Sequence, residues 1–212
     1  MLNEQERELR KTQVGASDVA KLFNFNNKTL QDLYAEKKGA VKEDFTNQSM
    51  TAGNILEQIC LEYFAKEHDI KNMELNLRVE HPFIPNFVAS TDGLDDESIP
   101  IENKTIGYDK LIELTKPLRE HYIQVQAQIS CTISKMAYIV YNGVTEYDLL
   151  YPLEYEPSDF KQKVFEIERD DELITEIEER VRYFLWCMEY DWKPSENEFQ
   201  KQRLLKVMED NK

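Results

Sequence analysis

The feature that most constrains the fold is a change in the spacing of apolar residues near position 72. Before it, apolar residues recur at helical spacing, most clearly over 49–66. After it, apolar residues alternate along 72–81, and short apolar runs follow at 87–91 and 99–104. Alternation of this kind is typical of half-buried strands. A chain that changes from helices to strands and back predicts a mixed α/β fold, with a central mixed β-sheet flanked by helices.

The same patterns predict one domain over residues 1–212, with its core at about 10–190 and a polar C-terminal tail at 194–212, because no linker divides the chain. Helices are predicted over 17–22, with Ser17 as N-cap, and over 29–38, 49–66, 119–132 and 170–190. Strands are predicted over 72–81, 87–91 (ended by Asp92-Gly93), 99–104 and 163–168. Residues 136–141 and 147–153 are predicted to form a hairpin turning near Asn142-Gly143, and 40–48 a loop.

Composition excludes several classes of protein. The hydrophobic fraction of 41% is too high for a disordered chain, and no apolar run reaches the length of a transmembrane helix. The polar start offers no secretory signal, so a cytoplasmic protein is expected. Cys60, Cys131 and Cys187 are dispersed, which excludes a disulfide scaffold, a zinc finger and a four-cysteine iron–sulfur cluster. Buried free thiols are expected instead.

The net charge of −15 by itself argues against a basic groove for nucleic acid. The charge is unevenly distributed, however. Residues 91–212 hold 27 Asp/Glu against 15 Lys/Arg, whereas residues 1–90 hold 14 against 11. The acidic excess can therefore lie on a solvated helix face away from a site.

Two carboxylates and a lysine suggest chemistry. Asp92 follows one predicted strand, and Glu102 and Lys104 lie on the next, where a spacing of two places both side chains on one face. Carboxylates that converge from adjacent strands can hold Mg²⁺, and a nearby lysine can orient its water. The acid-x-Lys triplet occurs six times in the chain, so alone it is equally compatible with a salt-bridged surface strand.

Three further features support a site. Glu57 lies beside the apolar stripe of its helix, where it could contact a metal, although an exposed helix glutamate is the simpler interpretation. Gln124 and Gln128 share a helix face and could position a water or a phosphate, or simply be surface amides. The small residues around Ser17 form a helix start that could hold a phosphate with Arg10, or only a capped helix.

Together these motifs resemble the phage lambda-type exonucleases, or YqaJ-like viral recombinase nucleases, of the restriction-endonuclease-like superfamily. The resemblance covers about 10–190. Its motifs, in family order, are Leu9-Arg10 with Gly15-Ala16-Ser17-Asp18-Val19, Gly53-Asn54 with Glu57, Ala89-Ser90-Thr91-Asp92-Gly93, Glu102-Asn103-Lys104, Tyr122 with Gln124-Val125-Gln126, and Ile167-Glu168-Arg169-Asp170. Thr91 stands where the family usually has proline.

The resemblance implies a restriction-endonuclease-like core and a role for each matching residue. Asp92, Glu102 and the backbone carbonyl of Asn103 would bind the metal, and Lys104 would act on the attacking water. Glu57 and Gln124 would complete the site. The residues implied to bind the 5′-phosphate of the DNA end are Arg10, Ser17 and Lys110.

The resemblance also implies an activity: Mg²⁺-dependent 5′-to-3′ digestion of one strand of linear duplex DNA, in phage-type homologous recombination. Two ions are implied, with Mn²⁺ as a substitute. Relatives suggest a homo-oligomer, in one type a ring-shaped trimer, and a single-strand annealing protein as partner, in the cytoplasm of a bacterial host. No membrane association is expected.

Two alternatives stay open at this point. A sibling endonuclease or a RecB-type DNA-processing nuclease would use the same metal site, although Arg10 and Ser17 favour the exonuclease. A non-catalytic DNA-binding or inhibitor protein on the same fold would have no chemical reason to keep Glu57, Asp92, Glu102 and Lys104 together.

Overall fold

The computed structural model describes residues 4–23, 27–39 and 48–210. Over these ranges the helices are α1 (Glu4–Thr12), α2 (Ala16–Leu22), α3 (Asn27–Lys37), α4 (Gln48–Glu67), α5 (Tyr108–Glu113), α6 (Arg119–Thr132), α7 (Glu146–Leu150), α8 (Asp171–Glu189) and α9 (Glu196–Asp210). The strands are β1 (Val14–Gly15), β2 (Glu74–Glu80), β3 (Phe87–Leu94), β4 (Pro100–Gly107), β5 (Met136–Val144) and β6 (Gln162–Glu168). A short 3-10 helix covers Pro152–Glu154.

These six strands form one mixed sheet in the order β1-β3-β4-β5-β6, with β2 also paired to β3. The β1–β3 and β4–β5 pairs are parallel, and the others are antiparallel. The ladder between β3 and β4 is short, since it joins only Gly93 to Ile101 and Leu94 to Pro100. The central strands therefore separate just beyond this ladder, next to Asp92 and Glu102.

Helices cover both faces of the sheet, as the alternation of side chains in β4 and β5 requires. Ile101 and Val140 pack against Leu61 and Phe64 of α4 on one face. The neighbouring Ile139 packs on the other face with residues of α6 and α8. A buried cluster of residues from α2, α3, β3, α6 and α8 continues the core on that second face.

Most of the predicted elements are confirmed, including the helix at 119–132 and the strand at 163–168. In α8, Ile177 and Phe184 are buried, as its apolar stripe predicts. The three cysteines are free and buried. The predicted tail contains α9, while α1, β1 and α5 were not predicted. Of the predicted loop at 40–48, residues 40–47 lie outside the described residues.

The hairpin predicted at Asn142-Gly143 is wrong. Strand β5 continues to Val144 because it pairs with β4 from Tyr138 to Val144 and with β6 up to Asn142. Residues 146–150 form a helix, capped by the Thr145 side chain, which accepts a hydrogen bond from the backbone N–H of Asp148.

Two predicted boundaries also need correction. Strand β3 does not end at Asp92-Gly93 but continues to Leu94. Gly93 lies close to the Met73 side chain, whose sulfur would be 2.9 Å from a Cβ at this position. The N-cap of α2 is Gly15, not Ser17, and the Asp18 carboxylate accepts the Gly15 N–H at 3.1 Å.

In the described ranges, each helix is too short or too polar to span a bilayer.

Candidate active site

Asp92 and Glu102 lie where β3 and β4 separate, immediately beyond the last backbone pair. The Asp92 carboxylate accepts the backbone N–H of Asn103 at 2.7 Å, so a side chain takes the place of the next ladder hydrogen bond. Glu102 is only 2% exposed. The structure thus brings the two predicted carboxylates to one point on adjacent strands.

Both oxygens of the Glu102 carboxylate have partners. Oε1 accepts a hydrogen bond from Gln124 Nε2 at 2.6 Å and also pairs with the ammonium group of Lys104. Oε2 accepts a hydrogen bond from Gln128 Nε2. A buried carboxylate requires such partners, because an unpaired charge in the interior is costly. Glu102 is therefore held in one orientation by one cation and two amides.

Negative charge accumulates around Asp92. Burial and then the nearby carboxylates of Glu102 and Glu57 raise the pKa of Asp92 well above its usual range. Burial and Glu102 likewise raise the pKa of Glu57. Helix α4 therefore places Glu57 within electrostatic reach of both strand carboxylates. Such a cluster favours a proton or a cation.

Lys104 is the cation of this cluster. Burial alone would lower its pKa, but the attraction and hydrogen bond of Glu102, together with the charges of Asp92 and Glu57, outweigh burial and the pKa is raised. Lys104 is therefore a charged donor at neutral pH. Its predicted place on the same face as Glu102 agrees with their direct ion pair.

A chain of side-chain amides binds Asn103, whose side chain points to the face of β4 opposite to Glu102 and Lys104. Its Oδ1 accepts a hydrogen bond from Asn142 Nδ2 at 2.6 Å, and Asn142 Oδ1 accepts one from Gln162 Nε2 at 2.8 Å. Asn142 is fully buried. These contacts fix the backbone of β4 between its two charged residues. The sequence did not associate Asn142 and Gln162 with this site, since they lie 39 and 59 positions beyond Asn103.

His121 is another neighbour that the sequence did not indicate. Its Nδ1 lies 2.7 Å from the hydroxyl of Tyr141, which also accepts the backbone N–H of Leu118 at 3.1 Å. Burial and then the charge of Lys104 lower the pKa of His121 to about 4. The ring is therefore neutral at physiological pH and lies on the side of the site that carries Lys104.

The donor set suits a hard cation only in part. Across residues 4–23, 27–39 and 48–210, no three His, Cys, Asp or Glu side chains form a metal-binding group. The residues that could hold a cation are Asp92 and Glu102, with the carbonyl of Asn103. Mg²⁺ commonly takes one or two carboxylates and completes its shell with water. The surplus of negative charge around Asp92 fits such an ion.

The three residues implied to bind the 5′-phosphate lie outside this cluster. Arg10 is exposed on α1, and its carbonyl accepts a hydrogen bond from Lys37 Nζ at 3.0 Å. Ser17 is exposed in the first turn of α2. Lys110 is exposed on α5 and contributes to the lowered pKa of His121, which places it on the side of Lys104.

The start of α2 differs from the expected phosphate site. Its Gly15 N–H is already bonded to Asp18, whose carboxylate also pairs with Lys37 at 2.7 Å. Among the residues that the structure describes, no hydrogen bond or ion pair joins Arg10 to Ser17. Their joint role stays a prediction.

No curated protein matches this chain. The family model described as the YqaJ-like viral recombinase domain matches residues 7–140, a range that contains every predicted site residue.

Solved structures with the same fold include an alkaline exonuclease from Laribacter hongkongensis, also solved in complex with dAMP. It is 26% identical, with a TM-score of 0.72 over 97% of this chain and 100% of that one. A phage-related exonuclease from Haemophilus somnus 129PT is 18% identical, with a TM-score of 0.62 over 84% of this chain and 96% of that one, and supports the fold alone. The predicted resemblance and the predicted fold class are confirmed.

Proposed function

Since the chain belongs to the YqaJ-like viral recombinase family, we propose that it is a Mg²⁺-dependent exonuclease that digests one strand of linear duplex DNA from 5′ to 3′. The structural similarity to an alkaline exonuclease supports the nuclease activity.

One observation carries the proposal: two carboxylates on adjacent separating strands, with a third nearby and one lysine among them. Asp92 and Glu102 meet where the strands separate, Glu57 lies within electrostatic reach of both, and Lys104 supplies a positive charge. A merely structural cluster has no reason to retain this surplus, because burying like charges destabilises the fold. A divalent cation would balance it.

Each residue of the site would have its own role in phosphodiester hydrolysis. Asp92, Glu102 and the Asn103 carbonyl would hold Mg²⁺, with Mn²⁺ as a substitute. The ion would supply an activated water and stabilise charge on the phosphate. Lys104, as a charged donor, would orient the attacking water or a phosphate oxygen. Gln124, through its bond to Glu102 Oε1, would keep that carboxylate turned toward the site.

The remaining parts of the proposal concern the DNA end and the assembly. Arg10, Ser17 and Lys110 would bind the terminal 5′-phosphate. We also propose a homo-oligomer, by resemblance a trimer, that works with a single-strand annealing protein in a bacterial cytoplasm. With a net charge of −15, such an assembly must turn its cations toward the DNA.

The test uses three substrates: linear duplex with 5′-phosphate, linear duplex with 5′-hydroxyl, and closed circular duplex. We expect Mg²⁺ to support release of nucleotides from 5′-phosphorylated ends, leaving a 3′ single strand, and EDTA to stop it. Asp92→Asn is expected to abolish cleavage. Asp96→Asn, which changes an exposed acid in the connection between β3 and β4, serves as the matched control and should leave cleavage intact.

Other results would favour the alternatives. Rapid cutting of closed circles would indicate an endonuclease. A folded protein that binds DNA but cleaves none of the substrates with Mg²⁺ or Mn²⁺ would indicate a non-catalytic protein on this fold.

A further inference from the structure

The two strands that carry the carboxylates are not joined by backbone at the site. Their ladder ends at Gly93 and Ile101, one residue before Asp92 and Glu102. Beyond that point the direct link from β3 to β4 is the bond from Asn103 N–H to Asp92. The distance between the carboxylates therefore depends on side chains.

Gln128 of α6 crosses this gap. Its Nε2 donates to the backbone carbonyl of Ser90 on β3 at 3.1 Å and to Glu102 Oε2 on β4. Both neighbours are acceptors, so the orientation of the amide is fixed, and its two N–H donors match the two acceptors. The side chain is completely buried.

Gln124 differs from Gln128 in its burial and in its hydrogen-bond partners. It is partly exposed and bonds to Glu102, with no described hydrogen bond to β3. Gln124 can thus turn toward a ligand, whereas Gln128 is committed to the two strands. The two amides that the sequence places on one helix face therefore have different roles in the folded chain.

We propose that Gln128 is a positioning residue that sets the spacing and the orientation of Asp92 and Glu102 for a divalent cation. This inference rests on the proposed function. Gln128 contacts neither the cation nor the DNA in this scheme. It acts by holding Glu102 Oε2 at a fixed distance from the Ser90 carbonyl on β3. Ser90 lies two residues before Asp92.

Replacing Gln128 by methionine keeps a similar volume and removes both hydrogen bonds. Glu102 would keep Gln124 and Lys104 at Oε1 but lose its partner at Oε2. The carboxylate could then rotate, and β3 could move relative to β4. Loss of an outer-shell partner of a metal ligand typically weakens metal affinity or activity by roughly 10–100-fold.

Gln126 provides a matched control on the same helix. It is also completely buried. Its Nε2 donates to the carbonyl of Glu168 at 2.7 Å, and its Oε1 accepts the N–H of Asp170 at 3.0 Å. Gln126→Met therefore also removes buried amide hydrogen bonds, but without touching Asp92 or Glu102.

The experiment compares Gln128→Met and Gln126→Met with the unaltered chain. Mn²⁺ binding is measured by calorimetry, thermal unfolding is measured in EDTA, and initial rates on linear duplex are measured across Mg²⁺ concentration. We expect both variants to lose stability. Only Gln128→Met should weaken Mn²⁺ binding, by roughly 10-fold or more, and excess metal should restore part of its rate.

Gln128→Asn, which keeps an amide too short to reach both strands, replaces the methionine variant if that variant does not fold. Equal Mn²⁺ affinity in the Gln128 and Gln126 variants would overturn the positioning role. If the unaltered chain binds no Mn²⁺ and cleaves no DNA, the proposed function itself fails, which is a different result.

Discussion

Replacing Asp92 by asparagine should stabilise the metal-free protein at neutral and alkaline pH. Burial and the carboxylates of Glu102 and Glu57 raise the pKa of Asp92 well above 3.8, so the folded state disfavours its charge. Asparagine removes that charge, and its oxygen can still accept the Asn103 N–H that Asp92 accepts at 2.7 Å.

The direction in which the free energy of unfolding changes with pH follows from proton binding. Between the unfolded and the folded pKa of Asp92, the native state holds more protons than the unfolded state. The free energy of unfolding therefore falls as pH rises through that window, by at most about 1.4 kcal/mol per pH unit for one proton. For a chain of this length that corresponds to roughly 3–5 °C in Tm per pH unit. The destabilisation caused by a charged Asp92 is absent below the pKa of the unfolded state. It is complete above the pKa of the folded state.

The assay is thermal unfolding in EDTA from pH 4 to pH 9, for the unaltered chain, Asp92→Asn and the exposed control Asp96→Asn. The Asp92→Asn curve should lie above the others at high pH and meet them at low pH. Saturating Mg²⁺ should reverse the order, since a ligand at about 100 times its Kd adds roughly 2.7 kcal/mol to the chain that binds it. A lower or unchanged Tm for Asp92→Asn at pH 8 in EDTA would refute the reasoning.

Three further predictions concern the DNA end, the lysine of the site and the stability of the fold. Arg10→Ala should slow digestion of 5′-phosphorylated ends more than of 5′-hydroxyl ends, and equal slowing, measured by initial rates, would reduce Arg10 to general backbone contact. Lys104→Met should lower kcat by roughly 100-fold or more, because it removes the charged donor beside the carboxylates, while DNA affinity measured by fluorescence anisotropy in Ca²⁺ changes little. Arg180→Met should destabilise the fold by about 3–5 kcal/mol in urea unfolding, because the buried guanidinium pairs with Glu196 at 2.7 Å and Glu176 at 2.9 Å; an unchanged midpoint would contradict this.

The periodic elements were predictable because their signals are local. The helix at 119–132 was predicted with its observed bounds, since its apolar spacing and flanking residues act within a few turns. The shared face of Glu102 and Lys104 followed from strand geometry alone, and their ion pair agrees with it.

At one position a local turn signal conflicts with strand pairing in the sheet, and the strand pairing determines the structure. Asn142-Gly143 is a strong hairpin signal, yet β5 runs through it. Asn142 is bound by Asn103 and Gln162, and a Cβ at Gly143 would lie 2.8 Å from Leu111. The glycine there permits close packing of α5 and does not form a turn.

By itself, the sequence determined the types of element, the family motifs and the residue types suited to a cation and a phosphodiester. Only the tertiary structure decided how those residues meet. It set the point beyond Gly93 at which β3 and β4 separate. The bridge that Gln128 makes to Ser90 and Glu102, and the contact of His121 with Tyr141, join positions 20 to 38 residues apart. Such contacts depend on how strands and helices pack in space, and spacing along the chain does not encode them locally.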